Sequence, residues 1–156
     1  MSLLAHIRRN PSADWQFPFR RGELRRIVAA MGSAVGVERG GVEIRLMTDA
    51  EMLRLQTEAL GLPGPTNVLA FPESASPASG TPGVGEAEAP SLGSLAVSPE
   101  TLRRECLLYG QEPEDHAVRL LAHGLAHLLG HDHGPAMEAV CRKMEEAASA
   151  LLFSRK

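Results

Sequence analysis

Three histidines in one short stretch have the types and spacing to bind a metal ion. From His123 to His133 the chain reads His-Gly-Leu-Ala-His-Leu-Leu-Gly-His-Asp-His. Residues four apart on a helix share one face, so His123 and His127 can reach one ion through bonds of about 2.0–2.1 Å. Gly130 favours a left-handed turn that ends the helix and returns His133 to the same ion. Three protein ligands leave the fourth position of tetrahedral zinc for water, as in catalytic sites.

The alternative is that these histidines are ordinary core residues. The surrounding helix is rich in leucine, and an imidazole without a partner there would cost about 1–3 kcal/mol. Metal ligation removes that cost. The stretch therefore predicts one Zn²⁺ per chain, held by His123, His127 and His133. Two other histidines are weaker candidates, His6 as a ligand and His116 at the rim of the pocket.

Position 124 bears on which reaction the metal would support. The histidine and glycine spacing matches that of metzincin proteases, whose first histidine is followed by a glutamate general base. Gly124 stands at that position, and glycine offers no base. Peptide hydrolysis by that mechanism is therefore not expected. The attacking water would be activated by the ion, which lowers its pKa to about 7, or by a base elsewhere in the chain.

The stretch resembles the signature of the YbeY family, bacterial ribosomal-RNA maturation factors and single-strand endoribonucleases. Two further blocks resemble that family in the same order, Pro-Thr-Asn-Val-Leu-Ala-Phe-Pro at 65–72 and Leu-Gly-Ser-Leu-Ala-Val-Ser-Pro-Glu at 92–100. The resemblance implies cleavage of single-stranded RNA. It also implies a role in maturing the 3′ end of small-subunit ribosomal RNA and in ribosome quality control.

The histidine spacing, the position of Asp132 beside the third ligand and the resemblance together suggest roles for particular residues. The catalytic residues would be the zinc ligands, acting through the ion and its water: His123, His127 and His133. Asp132 would orient a histidine, with a simple turn aspartate as the alternative. Thr66 and Asn67 would line the cleft, with an edge strand as the alternative. The expected partners are ribosomal RNA, proteins of the small ribosomal subunit and an assembly GTPase, in the cytoplasm and without a membrane.

Three positions depart from the family pattern. Leu60 stands where many members carry an arginine that would clamp a phosphate, so another arginine, such as Arg54, would have to substitute. Ser94 replaces an aspartate. His131 replaces a tyrosine and offers an alternative third ligand, ranked behind His133 because it would require the helix to continue through the glycine.

Composition sets the bounds on the class of protein. The chain has 156 residues, 44% of them hydrophobic, which predicts one globular domain over residues 1–156. No apolar run approaches the roughly 20 residues that span a bilayer. A net charge of −3 and a pI near 6.1 do not indicate nucleic-acid binding, although arginine pairs could form a local patch or a solvated face. Cys106 and Cys141 are interpreted as buried thiols, with a fourth metal ligand as the alternative.

Periodicity predicts the elements that would position the histidines. Predicted strands cover 3–9, 42–46, 66–71 and 92–97, and predicted helices cover 21–35, 49–60, 99–109, a segment from 113 through the metal stretch, and one from 135 onward. Thr48 or Asp49 would cap the second helix, whose Met52, Leu53 and Leu55 would face inward, and Ser98 would cap the third. Residues 73–91 read as a flexible loop. This pattern predicts an α+β fold with a mixed sheet of about four strands.

Three functional hypotheses remain open at this point. The first is a zinc-dependent endoribonuclease. The second is a metallohydrolase with a different substrate, such as a peptide. The third is a non-catalytic ribosome-assembly factor that zinc stabilises.

Overall fold

A mixed sheet lies at the centre of the fold. The computed structural model describes residues 2–60, 67–73 and 90–154. Within those residues the sheet has four strands, numbered in chain order: β1 (Leu3–Arg9), β2 (Gly40–Leu46), β3 (Val68–Pro72) and β4 (Ser91–Val97). Their spatial order is β1-β2-β4-β3, with β3 antiparallel to β4 and the other pairs parallel. The predicted α+β fold with a mixed sheet is confirmed.

Five helices pack around this sheet in the described residues. They are α1 (Arg21–Ala34), α2 (Asp49–Leu60), α3 (Pro99–Tyr109), α4 (Pro113–Leu128) and α5 (Pro135–Ser154). The apolar stripe predicted for the first helix is buried: Leu24, Ile27, Val28 and Met31. Alternate residues of β2 are buried as well, because successive side chains of a strand point to opposite faces. No helix in the described ranges is long and apolar enough to cross a membrane.

Some boundaries and orientations differ from the predictions. One 3₁₀ turn, Asp14–Gln16, lies between the first strand and the first helix, where no element was predicted. The third strand begins at Val68, two residues later than predicted. Leu53, predicted to face inward, is 43% exposed, because α2 buries the side of Met52 and the next residue lies about 100° around the helix. Most of the predicted loop at 73–91 lies outside the described residues and stays a prediction.

A glycine allows α4 to approach the sheet closely. A Cβ placed on Gly124 would lie 2.8 Å from Leu95 Cδ2 and 3.3 Å from Val68 Cγ2. Real Cβ atoms essentially never lie 2.8 Å from another atom, so a larger residue would require the buried Leu95 side chain or α4 to shift. This contact fixes, relative to the sheet, the helix that carries His123 and His127.

One of the two residues predicted to cap α2 does cap it. The Glu51 backbone N–H donates to Thr48 Oγ1 over 3.2 Å, and the Thr48 N–H donates to Glu51 Oε1 over 3.0 Å. This reciprocal pair is a capping box. Thr48 therefore caps the helix, and Asp49 is left for another role.

Asp49 ties α2 to the start of α3. Its carboxylate accepts hydrogen bonds from the Ser98 hydroxyl, from Thr101 Oγ1 at 2.6 Å and from the Arg104 guanidinium at 2.9 Å. Ser98 also caps α3 as predicted, accepting from the Thr101 backbone N–H. Burial raises the pKa of Asp49, but these three hydrogen bonds outweigh it and hold that pKa below its usual value. The ionised carboxylate is thus the form that stabilises the fold.

We expect Asp49→Ala to lower the free energy of unfolding by about 1.5–3 kcal/mol at neutral pH, the range for hydrogen bonds to a charged group. Glu58→Ala, on the exposed face of the same helix, should change it little. Since the pKa is depressed in the folded state, the contribution of Asp49 is present above its unfolded pKa and is lost as pH falls through its folded pKa. Urea titrations with chelator present should show the deficit shrinking below about pH 4. A deficit unchanged at low pH would contradict this account.

Candidate metal centre

Three histidines meet at the C-terminal end of α4. His123 and His127 lie one turn apart on the helix, and His133 lies in the segment that joins α4 to α5. One candidate ligand nitrogen from each ring lies within 4.8 Å of the others. The ring centroids are separated by 4.7, 5.6 and 5.5 Å. The three side chains that the sequence predicts as ligands are therefore brought together by the fold.

The spacing of the ring nitrogens fits a small divalent cation. Nε2 of His123 and Nε2 of His127 lie 3.1 Å apart, whereas two nitrogens on tetrahedral zinc, with bonds of about 2.0–2.1 Å, are about 3.3 Å apart. A hydrogen bond between two neutral imidazoles would give a similar distance. Three neutral imidazoles converging on one point are, however, the donor set that zinc prefers, and within the described residues no fourth His, Cys or acidic side chain joins the group.

Gly130 makes the turn that brings in the third histidine. It adopts a φ of +91°, and a Cβ built there would meet nothing within 4 Å. Its role is therefore conformational, since L side chains rarely adopt this backbone conformation. The turn is closed by hydrogen bonds from the Gly130 N–H to the His127 carbonyl and from the His131 N–H to the Ala126 carbonyl, both 3.0 Å. His131, the alternative third ligand, lies outside the cluster, and His133 completes it.

The environment of His123 favours the form that binds metal. The ring is half-buried, and burial lowers its pKa, with the neighbouring His127 and His133 lowering it further. A lowered pKa keeps the imidazole neutral, so fewer protons compete with a metal for its nitrogen. His133 is exposed, which leaves the cluster accessible from solvent.

A cleft of about 460 Å³ opens beside the cluster between α4 and α5. His123 and His133 line it together with side chains from both helices: Arg119, Met137, Glu138, Cys141, Arg142 and Glu145. Sequence reasoning missed the two arginines. The signal for Arg119 was its place four residues before His123, which puts it on the same face of α4. For Arg142 no local signal existed, because it reaches the cleft only through the packing of α5 on α4.

Two other histidines have no part in the cluster. His6 lies exposed on β1, opposite Glu43 in the sheet register. His116, predicted at the pocket rim, is only 7% exposed and does not line the cleft. Its Nε2 lies 2.9 Å from Glu105 Oε1, and the Asn67 amide donates to the same carboxylate oxygen over 3.0 Å. His116, a weaker candidate for the rim, is not found there, because α3 packs against this part of α4 and supplies a carboxylate partner.

The other residues that the sequence analysis singled out lie outside the histidine cluster or outside the described residues. Asn67 is held to α3 and is not among the residues of the cleft between α4 and α5, and Thr66 lies outside the described residues. The Asp132 side chain is exposed, and among the described residues no hydrogen bond joins it to a histidine. Ser94 is half-buried on β4, and Arg54 is exposed on α2. Leu60 ends α2, and its side chain lies outside the described part.

Both cysteines are separate from the cluster. Cys106 is buried, while Cys141 is half-buried and lines the cleft. Burial raises the pKa of both thiols, and Glu105 and Glu145 respectively raise it further. A raised pKa favours the protonated thiol over the thiolate that ligates metals. The interpretation as thiols rather than ligands agrees with this chemistry.

Several arginines of the clustered pairs make contacts within the chain. Arg9 binds Asp14 over 3.1 Å, Arg104 binds Asp49, and Arg103 lies over the Trp15 ring at 5.5 Å. These contacts use the arginines to hold surface elements together.

Comparison with known proteins adds the family context. The sequence profile of the family described as Endoribonuclease YbeY matches residues 18–155. Endoribonuclease YbeY of Nitratidesulfovibrio vulgaris is 41% identical over 151 residues, which cover 92% of this chain and 93% of that protein. Endoribonuclease YbeY of Oleidesulfovibrio alaskensis is 40% identical over 144 residues, 85% of each chain. A solution structure of a Thermotoga maritima protein superposes with a TM-score of 0.63, at 17% identity, over 98% of this chain and 93% of that one. That last likeness concerns the fold alone.

We expect Gly130→Ala to weaken zinc binding as well as folding. An L residue forced into this conformation costs about 1–2 kcal/mol, and relief of that strain would displace His133. Zinc affinity measured by calorimetry should fall about tenfold, since about 1.4 kcal/mol corresponds to a factor of ten.

Gly110→Ala is the matched control, because Gly110 ends α3 with a φ of +64° and equally open space. It should lose similar stability and keep zinc affinity. Equal loss of affinity in both variants would contradict a specific role for the Gly130 turn.

Zinc affinity should also depend on pH. Zinc binds neutral imidazole, and histidine has an ordinary pKa of about 6.5, so affinity should fall as the pH drops below that value. The lowered pKa of His123 delays protonation of that ligand without preventing it. Calorimetric titrations at about pH 7.5 and about pH 5.5 check this, and equal affinities would contradict imidazole ligation.

Proposed function

This chain belongs to the YbeY family of endoribonucleases, and from that premise we propose that it is a zinc-dependent enzyme that cleaves single-stranded RNA. The observation that carries the proposal is the convergence of three imidazoles beside an open cleft, with ligand nitrogens within 4.8 Å of one another. We further propose that it matures the 3′ end of small-subunit ribosomal RNA and acts in ribosome quality control. Its partners would be that RNA, small-subunit proteins and an assembly GTPase, in the cytoplasm.

In this proposal the protein positions the zinc ion, and the ion activates the attacking water and the phosphoryl group. His123, His127 and His133 would hold one Zn²⁺ through neutral nitrogens, two from a rigid helix and one from the turn after it. Bound zinc polarises phosphoryl oxygens and lowers the pKa of water. The exposure of His133 lets a strand approach from the cleft side, and the apolar surroundings of α4 keep the ligand rings oriented.

The packing of Gly124 favours a nuclease over a peptidase. The position where metzincins carry their glutamate base faces Leu95 and Val68, with no room for even a Cβ. A glutamate there would require the Leu95 side chain, or the helix itself, to shift. The peptide-hydrolase hypothesis therefore lacks the base, at a position that is already closely packed.

The ligand count favours catalysis over a purely structural metal. Structural zinc sites are closed by four protein donors, whereas catalytic sites use three and keep one position open. In the described part of the chain the cluster offers three donors. An RNA turnover experiment distinguishes this proposal from the alternative, a non-catalytic assembly factor.

We expect purified protein loaded with zinc to cleave a single-stranded ribosomal RNA fragment. Addition of a chelator, or His127→Ala, should lower the rate by about 100-fold or more, because a catalytic metal contributes several kcal/mol and each 1.36 kcal/mol is about tenfold. Gel electrophoresis of labelled RNA measures the rate.

The matched control is His6→Ala, which removes an exposed histidine from β1 and should leave cleavage unchanged. Cleavage that persists in His127→Ala would point to a contaminating nuclease and remove the proposal. A wild-type protein that turns over no RNA, yet loses thermal stability on His123→Ala, would favour the assembly factor.

A further inference from the structure

Two arginines line the cleft beside the histidine cluster, one from each of the two helices that form it. Arg119 belongs to α4 and Arg142 to α5, and both line the cleft together with His123 and His133. We infer that Arg119 and Arg142 form the phosphate-binding part of the RNA site, each contacting a phosphate of the strand that enters at the histidine cluster. This inference rests on the proposed function and names the side chains that would position the substrate.

Arg119 is oriented by a chain of hydrogen bonds. One terminal nitrogen donates to Gln111 Oε1 and lies 3.5 Å from His116 Nδ1. Nε2 of His116 faces the Glu105 carboxylate at 2.9 Å, and in the tautomer with its proton on Nε2, Nδ1 can accept from Arg119. The other terminal nitrogen of Arg119 has no hydrogen-bond partner among the described residues. The guanidinium is thus oriented through one nitrogen, and the other can donate to a ligand.

Arg142 presents its guanidinium to solvent. Glu138 lies one turn before it on α5, a spacing at which ion pairs commonly form. Nevertheless, within the described ranges Arg142 makes no ion pair or hydrogen bond, and the residue is exposed at the cleft wall. Such a side chain can turn to a ligand without breaking an existing contact.

The chemistry of the cleft suits phosphate once a metal is bound. Guanidinium binds phosphate oxygens through two parallel hydrogen bonds, and contacts of this kind position a nucleic acid without reading its sequence. Glu138 and Glu145 also line the cleft, and Arg119 Nε lies 3.8 Å from Glu145 Oε1. These carboxylates offset the two arginines in the metal-free protein. A divalent cation on three neutral imidazoles adds two positive charges, so anion binding should be strongest in the zinc-loaded form.

The test measures binding and cleavage separately on the zinc-loaded full chain. A fluorescent, single-stranded 2′-O-methyl oligoribonucleotide, checked by gel electrophoresis to remain intact during the measurement, reports the Kd by anisotropy over a range of salt concentrations, and the unmodified RNA reports kcat and KM. Arg119→Ala and Arg142→Ala should each raise Kd and KM about tenfold and change kcat less. Each should also reduce the slope of log K against log salt by about 0.7, the value for one phosphate of a single strand. Arg142→Lys should recover part of the affinity, since it keeps the charge and loses the fork.

Lys143→Ala is the matched control, because Lys143 is exposed beside Arg142 on α5 and does not line the cleft. It should keep the wild-type Kd and salt slope. If Arg119→Ala fails to fold, Arg142→Ala still tests the inference, since that substitution removes no hydrogen bond or ion pair in the described structure. One outcome would overturn this inference and leave the proposed function standing. In that outcome the wild type cleaves RNA, and Arg142→Ala and Lys143→Ala have the same Kd and the same slope of log K against log salt. Absence of cleavage with arginine-dependent binding would overturn the proposed activity and support the phosphate site.

Discussion

The close packing of α4 on the sheet at Gly124 is the constraint on which the site depends. Because no Cβ stands between the helix and Leu95, the helix axis lies closer to β3 and β4 than a larger residue would allow. The imidazoles of His123 and His127 are therefore carried by a helix whose position is set by the core. Only His133 depends on a turn, and the left-handed Gly130 makes that turn reproducible. Two rigid ligands and one placed by a defined turn form a preorganised donor set.

The surroundings of α4 influence the protonation of one candidate metal ligand. Burial and the neighbouring rings both lower the pKa of His123, so fewer protons compete with a metal for its nitrogen. The same burial raises the pKa of Cys141 at the cleft wall, which keeps a competing thiolate away. The fold thus favours three nitrogen donors over a mixed set with sulfur.

A network of polar side chains links the elements around the site. Asn67, just before β3, binds Glu105 on α3; Glu105 binds His116 on α4; and His116 faces Arg119 in the cleft. The block that begins the third strand and the helix that carries the metal ligands are thereby joined through a buried imidazole. In the proposed enzyme this arrangement couples the position of a substrate-binding arginine to the packing of α3 against α4.

The sequence by itself determined the helices, most strand boundaries, the histidine ligand spacing and the glycine turn, because each follows from contacts within about one or two turns of chain. The cap at Ser98 and the stripe on α1 were predictable for the same reason. Only the tertiary structure decided that Asp49 binds Ser98 and residues of α3 about fifty positions away, that His116 pairs with Glu105, and that Arg142 lines the same cleft as His123 and His133. Those contacts join different elements, and local periodicity carries no information about which faces of two elements will pack together.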